Sequence, residues 1–560
     1  MLNVLFYHAN DTINLSISDK EIWLGTAALY LKTHIENNCK DIADKVNWLL
    51  PKQRKMSNDA LIDYCITNRV DFLCTSHYIW NHSFLLNQLK SIRQMLPGVT
   101  FVAGGPSVDV HIAEDFFATH PYIDYAIYGS GEFAFADLIS SLLENKKLIS
   151  FNTSNIAWFD DQKNKTIVAN FKYVPQTKVS PFCANEEFFT DMVKEQQQDN
   201  INVVLPYDLT RGCPYSCTFC DWNSGLSNKV TRRKETYQQE IDLFQKLGIH
   251  NIYLSDANVG QYLEDIDLIE YMAKKNIEEQ ARFTIDGNLS KLRVENNLKI
   301  FHLAAQGNLM NPDWGFMISV QDIDRSVLKN IERPDIGWEK YKEVITELTV
   351  TYPHISPVVQ MIQGLPGQTV TSWRKSLSEV IKYNVKICVF LSELLPASPA
   401  VMDPEYQKNF KFTYSNSERY GGKELFRGTF PESCYSFTKE DQVEMTLLTM
   451  IYSSLANLKI LNPDAVEHIN IEYLIDRFIL SPEYTILKEN LYNNWCNDKF
   501  YFTKNFNGKY DTKISACSSM ATSTEWSSDL AFLSFVLKNS GTKYKKILLD
   551  IISNNKMEMA

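Results

Sequence analysis

Three cysteines stand close together in the segment Leu209-Thr-Arg-Gly-Cys213-Pro-Tyr-Ser-Cys217-Thr-Phe219-Cys220-Asp-Trp222, with the spacing CxxxCxxC. Three thiolates on one short loop suit three irons of a cubane [4Fe–4S] cluster, and the fourth iron is left without a protein ligand. An open iron is what an amino-acid-like ligand would chelate. Structural zinc is the competing reading. It normally needs four ligands in paired, wider-spaced sets, and no cysteine or histidine pair stands nearby to complete one. The remaining cysteines of the 11, namely Cys39, Cys65, Cys74, Cys183, Cys388, Cys434, Cys496 and Cys517, are scattered. An odd total, scattered outside the one cluster, fits a reducing cytoplasm and not a disulfide framework. They read as buried small hydrophobes or incidental thiols.

The elements that must position the cysteine loop follow from the alternation of apolar runs. Over residues 201–400 strands are expected at Asn202–Leu205, Ile252–Leu254, Phe283–Ile285, Gly315–Ser319, Val358–Ile362 and Ile387–Leu391, with helical stretches between them. That is a (β/α) repeat of six units, a partial barrel by analogy with the eight-unit form. The cysteines fall in the loop after its first strand. Residues 1–146 alternate in the same way, with strands at Asn3–Tyr7, Phe72–Ser76, Val99–Ala103 and Tyr125–Tyr128 and helices at Trp23–His34, Ser83–Met95 and Phe133–Leu143. This implies a Rossmann-like, doubly wound α/β domain whose ligands sit beyond the carboxyl ends of the strands. Residues 147–200 read as a linker with a small hairpin, and 401–560 as a mainly helical substrate or capping domain. A chain of 560 residues exceeds one hydrophobic core, so about three domains are expected.

The cysteine motif and the strand ends together resemble the radical S-adenosylmethionine (SAM) superfamily over about residues 201–400. The resemblance implies that the open iron takes the amino and carboxylate groups of SAM, with Phe219 near the adenine. It implies further SAM contacts at Ser255 and Asp256 after the second strand, Asp286 after the third, and Ser319 and Gln321 after the fourth. Gln363 and Gly364 open the GLPGQT-like segment Gly364–Thr369 after the fifth. A strand-ending polar residue or a Gly-Pro turn is, taken singly, usually structural.

The N-terminal region resembles the cobalamin-binding domain of the B12-dependent subclass of that superfamily. The matching residues are Leu24-Gly25, Thr75-Ser76-His77-Tyr78-Ile79-Trp80-Asn81, Gly104-Gly105-Pro106-Ser107, and the stretch from Ile123 to Gly129-Ser130-Gly131-Glu132. The resemblance implies cobalamin contacts at His8 and Asn10 after the first strand, and at Ser76, Tyr78, Trp80 and Asn81 after the next. It implies others at Gly104, Gly105 and Pro106, and at Gly129, Gly131 and Glu132. A flat, partly apolar corrin needs a wide platform, and glycine loops let backbone approach its amides. The Asp-x-His-x-x-Gly motif that supplies a cobalt-ligating histidine in many cobalamin proteins is absent after Tyr7. The similar-looking Asp109-Val-His111 lies in another loop and reads as a helix start. Cobalt is therefore expected to carry no protein nitrogen. Tyr78 and Trp80 pack beneath the corrin or serve as core aromatics, two readings of equal standing.

Joined, the two resemblances imply an enzyme of the C-methyltransferase type. It would methylate an unactivated carbon of a natural product or peptide through a 5′-deoxyadenosyl radical and methylcobalamin. The alternatives are a ring rearrangement or cyclisation, polar C-methylation, and, remotely, a cobalamin carrier or sensor. Its expected partners are the substrate and a reductant such as flavodoxin or ferredoxin. A net charge of −11 argues against a nucleic-acid surface. The densest basic patch, Lys229, Arg232, Arg233 and Lys234, reads as a solvated helix start or as a phosphate contact. No apolar run reaches membrane length and the N-terminus lacks a signal-peptide pattern, so a cytoplasmic protein without a membrane partner is expected. Trp495, Tyr501 and Phe502 read as core or as pocket lining in the C-terminal region.

Overall fold

Leu2–Asn10 forms β1, and the alternation of its side chains explains its place at the centre of a sheet. Leu5 and Tyr7 enter one apolar core, Val4 and Phe6 another, so both faces are covered. Burying each large apolar side chain contributes about 1.5–3 kcal/mol. The fold is that of a computed structural model. It describes residues 1–492 except 15–19, 79, 109–112, 145–152, 174–177, 223–228, 234–235, 312–315, 354, 356, 394, 396–397, 415–430, 462–470, 483, 487 and 490–491.

In chain order, the strands after β1 are β2 (Ile13–Asn14), β3 (Lys20–Trp23), β4 (Val46–Trp48), β5 (Lys52–Arg54), β6 (Phe72–Ser76), β7 (Thr100–Gly104) and β8 (Tyr125–Ile127). A hairpin of β9 (Ile156–Asp160) and β10 (Lys165–Val168) follows. The first sheet runs β10-β9-β8-β7-β6-β1-β4, with β5 also on β1. The strands from β8 to β4 are parallel and β9 is antiparallel to β8. The chain leaves β1 for β4 on one side and returns to β6 on the other. The strand order therefore reverses at β1/β6, which places the ligand crevice at the carboxyl ends of those two strands. The hairpin read as part of a linker extends this sheet.

The second sheet is built from β11 (Ile201–Tyr207), a short ribbon of β12 (Thr210–Arg211) and β13 (Thr231–Arg232) beside it, then β14 (Asn251–Val259), β15 (Thr284–Leu289), β16 (Phe316–Gln321), β17 (Val358–Gln363) and β18 (Lys386–Leu391). Its order is β18-β17-β16-β15-β14-β11-β3-β2, and the six strands from β11 to β18 are parallel neighbours in chain order, the half-barrel arrangement. The expected six-unit repeat is present.

Trp23, expected to begin the helix Trp23–His34, instead ends β3, which pairs parallel with β11 and extends the second sheet. The helix starts later, at Ala27–Asn38. The two sheets thus share chain: β1 lies in one, β3 in the other.

Beyond the half-barrel, the helix Lys439–Leu461 packs on the helix Val370–Val380 and on β18. Trp373, wholly buried, donates its indole N–H to Thr449 at 2.9 Å. A helix at Ile471–Ile479 follows. Trp495, Tyr501 and Phe502 lie outside the described residues. No helix among the described residues is long and apolar enough to cross a membrane.

Candidate active site where the two sheets meet

The cysteine loop leaves the carboxyl end of β11 and is pinned on several sides. Gly212 has φ +94°, and a Cβ there would lie 2.2 Å from the carbonyl oxygen of Lys229, so only glycine fits. The Thr218 amide donates to Ile331 O at 3.0 Å, and Thr218 O accepts from the Ala400 amide at 2.8 Å. The Tyr215 hydroxyl donates to Gln261 at 3.1 Å. Cys213 and Cys217 are buried and Cys220 is half-buried.

Each sulfur accepts a donor. Asn258 Nδ2 lies 3.3 Å from Cys213, Lys291 Nζ 3.5 Å from Cys217, and the Trp222 amide 3.5 Å from Cys220. Burial pushes the Cys220 thiol up to about 12, so it keeps its proton until a metal displaces it. Among the described residues no group of three His, Cys, Asp or Glu is placed to hold a single metal ion. A cubane spreads three thiolates over three irons instead, and a loop of buried sulfurs met by N–H donors fits that group.

The structure brings some of the expected SAM residues together. Phe219 packs against Val327, Leu328, Ile331, Ile362 and Leu365, which joins the cysteine loop to the Gly364–Thr369 turn. Gln368, fully buried, shapes that turn by accepting from the Gly364 and Leu365 amides and donating to Asp322. Gln321 is buried at φ +67° with its side-chain oxygen unpartnered among the described residues, which suits it to meet a polar ligand group.

Others meet partners within the chain, although one carboxylate oxygen of Asp256 is buried without a partner among the described residues. Ser255 and Asp256 lie within β14, where its pairing with β15 is irregular. Ser255 donates to Tyr207 O, and Asp256 accepts from the Leu209 amide at 3.1 Å. Burial, followed by the Asp265 and Asp208 carboxylates, raises Asp256 to about 7. Asp286 accepts from Asn311, and Ser319 donates to Gln360. Gln363 is fully buried and its amide is taken by the helix Lys439–Leu461: it donates to Gln442 O and Thr446 and accepts from Thr449.

At the crevice of the first sheet, Tyr78 and Trp80 stack with centroids 4.7 Å apart and planes 9° from parallel. Trp80 is 44% exposed, so this pair is an open flat platform and not a core contact. Gly104, Gly105 and Pro106 at the carboxyl end of β7, and Gly129 and Gly131 after β8, are partly or fully exposed. Gly105 has φ +102°, and a Cβ there would come within 2.6 Å of His77 O. An aromatic pair and accessible glycine backbone at the carboxyl edge of one sheet fit a corrin.

Behind the platform sit residues expected as contacts but held as supports. Asn81, buried, donates to His8 O and Ser76 O and accepts from the Tyr78 amide. Ser76 is buried. Asn10 donates to Trp23 O and accepts from Trp80. The His8 ring is enclosed: a Cβ on Gly25 would lie 2.2 Å from its Nδ1, and burial lowers its pKa to about 4.

Glu132 is buried too, and its carboxylate meets Arg211 at 2.6 Å. This contact joins the Gly129–Gly131 loop to the residue two before Cys213. Nearby, the Tyr30 hydroxyl donates to Asp208 at 2.6 Å and the Arg211 guanidinium lies over the Tyr30 ring. The carboxyl edge of the first sheet is therefore tied to the cysteine loop. Sequence reading missed this tie, as well as Asn258 and Lys291. Nothing in the spacing marks Lys291, whereas Asn258 carries a faint signal as a polar residue at a barrel strand end.

The basic patch is also resolved. Arg232 pairs with Asp265 at 2.6 Å and Arg233 with Glu240 at 3.3 Å, both almost wholly buried. Neither is a solvated helix start nor a phosphate contact. Lys234, like His111, falls outside the described residues.

A family model for the radical SAM superfamily matches residues 207–380, and one for the B12 binding domain matches residues 26–139. The cobalamin-dependent radical SAM methyltransferase TokK of Streptomyces tokunonensis is 25% identical over 334 residues, 59% of this chain and 48% of that protein. The 2-(S-pantetheinyl)-carbapenam-3-carboxylate methyltransferase of Streptantibioticus cattleyicolor is 26% identical over 334 residues, with the same 59% and 48% shares. The match thus spans about half the length of these relatives. Among solved structures, the cobalamin-dependent S-adenosylmethionine radical enzyme OxsB, with aqua-cobalamin and SAM bound, has a TM-score of 0.60 at 13% identity, over 100% of this chain and 80% of that one. That likeness is one of fold. The two family matches carry with them a [4Fe–4S] cluster and SAM for one domain and cobalamin for the other. The chain belongs to the cobalamin-dependent radical SAM superfamily, its B12-binding domain preceding and bound to a radical SAM half-barrel.

Proposed function

We propose that the chain is a C-methyltransferase that places a methyl group on an unactivated carbon of a natural product or peptide. The observation that carries this reading is the Glu132–Arg211 contact, which sets the platform edge of the B12-binding domain against the three-cysteine loop. When bound, the cluster with SAM supplies hydrogen abstraction from carbon, and cobalamin supplies the methyl group. The curated relatives support the reaction class, since both are named methyltransferases and one is named for a carbapenam carboxylate.

In this reading Cys213, Cys217 and Cys220 hold the cluster. Phe219, with Ile362 and Leu365, forms an apolar wall for the adenine. The unpartnered Gln321 oxygen meets a polar group of SAM. Tyr78 and Trp80 support the corrin face, and the Gly104–Pro106 and Gly129–Gly131 backbone receives its side-chain amides. The chain excludes water by closing the two sheet edges on each other, which holds the target carbon between the two cofactors. A cavity of about 700 Å³, lined by residues including Tyr262, Arg293 and Asn296, lies beside Gln261, the partner of Tyr215. It offers a route to the site for a small substrate. A low-potential flavodoxin or ferredoxin is the fitting electron donor.

The test is anaerobic reconstitution of the whole chain with iron, sulfide and hydroxocobalamin. About four irons and four sulfides per chain are expected, together with cobalamin. Changing Cys213, Cys217 and Cys220 together to Ala should remove the iron and leave cobalamin bound. A triple variant that kept a full cluster, or a wild type that bound no cobalamin, would overturn the proposal.

A further inference from the structure

The donors facing the cysteine sulfurs have a consequence for electron transfer. Asn258 comes from β14, at the irregular stretch after Leu254 that turns its side chain toward the loop. It is buried and its Nδ2–H points to Cys213 at 3.3 Å. Lys291 comes from the turn after β15, and its ammonium lies 3.5 Å from Cys217. The Tyr215 ring holds that ammonium in place at 5.0 Å from the ring centroid, and the Tyr341 hydroxyl donates to Lys291 O at 3.5 Å. Neither side chain belongs to the cysteine motif, and they reach the loop from two different strand ends.

We infer that Asn258 and Lys291 are positioning residues that raise the reduction potential of the cluster. The inference rests on the proposed cluster at Cys213, Cys217 and Cys220. In the electron-transfer step one electron passes from a low-potential one-electron donor to the oxidised 2+ cluster, giving the 1+ form, and no bond is made or broken. The added electron raises the negative charge on the thiolate sulfurs. A hydrogen bond to sulfur, and a cation beside it, stabilise the reduced form more than the oxidised one. A charge-assisted contact is roughly twice as strong as a neutral one. Lys291 therefore has the larger effect, and part of it is charge alone.

The test is an EPR-monitored redox titration of the reconstituted full chain, without SAM, with iron and sulfide counted for each variant. Lys291→Met and Asn258→Leu should each move the midpoint to more negative values, Lys291→Met further. Lys291→Gln, which keeps a donor but loses the charge, should fall between wild type and Lys291→Met. Lys291→Arg should stay near wild type. Variants with full iron content and an unmoved midpoint overturn the inference while leaving the cluster assignment intact. Loss of the cluster in every variant also overturns it, because the side chains would then serve assembly and not potential. If Lys291 instead serves the SAM carboxylate, Lys291→Met would weaken SAM binding and leave this SAM-free potential unchanged. A wild type without a cluster signal fails the proposed function itself.

Discussion

Both ring nitrogens of His8 are buried without a partner among the described residues, a costly arrangement that only a neutral ring tolerates. Burial lowers its pKa from 6.5 to about 4. Between those values the unfolded chain binds a proton that the folded chain refuses. The stability His8 permits at neutral pH is therefore lost as pH falls from 6.5 toward 4. The ring lies against Gly25, enclosed in the fold, and we expect it to leave cobalt without a protein nitrogen. His8→Leu should leave cobalamin affinity within about twofold, less than the loss of one hydrogen bond, which is worth ~1 kcal/mol. It should also flatten the fall in melting temperature between pH 6.5 and 4. The Co(II) EPR spectrum of the wild type should show no protein nitrogen splitting. Splitting that vanished in His8→Leu would contradict this placement.

At the scale of elements, the half-barrel is finished from outside by the helix Lys439–Leu461. Its Gln442, Thr446 and Thr449 engage all the polar capacity that Gln363 shows, and Gln363 ends β17 just before the turn that Phe219 packs on. Gln363→Ala removes its bonds to Gln442, Thr446 and Thr449 in a buried site, where the two threonines keep only their bonds within the helix and from Trp373. It should cost roughly 1–3 kcal/mol of stability by chemical denaturation, with iron content unchanged. A variant as stable as wild type that had lost SAM affinity would restore Gln363 as a SAM contact.

Much of this architecture is legible in the chain. The apolar runs at Phe72–Ser76 and Val358–Ile362 are buried on both faces, and hydrophobicity alone marks them. The polar strands Lys20–Trp23, Val46–Trp48 and Lys52–Arg54 are not marked. They are short and lie toward sheet edges, and tertiary pairing decides them. The cysteine loop is legible because spacing is its chemistry. Gln363 shows the limit of such a reading: a polar residue at a strand end looks the same in sequence whether it meets a ligand or a distant helix.

At the scale of the whole molecule, the two domains are built into one another. β3 adds to the half-barrel sheet next to β11, the strand that leads into the cysteine loop. Tyr30 reaches Asp208, and Glu132 reaches Arg211. A separate carrier domain would not need chain shared between sheets, and a partly buried ion pair with a short contact holds its two elements at a fixed spacing. The arrangement suits an enzyme in which two cofactors act on one carbon. The most direct test uses the full chain loaded with cluster and cobalamin, incubated anaerobically with SAM and a low-potential reductant, with nucleoside products quantified by mass spectrometry. Both 5′-deoxyadenosine and S-adenosylhomocysteine are expected from wild type. The triple change of Cys213, Cys217 and Cys220 to Ala should lose the 5′-deoxyadenosine. S-adenosylhomocysteine alone from wild type would mean polar methylation, and 5′-deoxyadenosine alone would mean rearrangement or cyclisation; either result contradicts the radical methyltransferase.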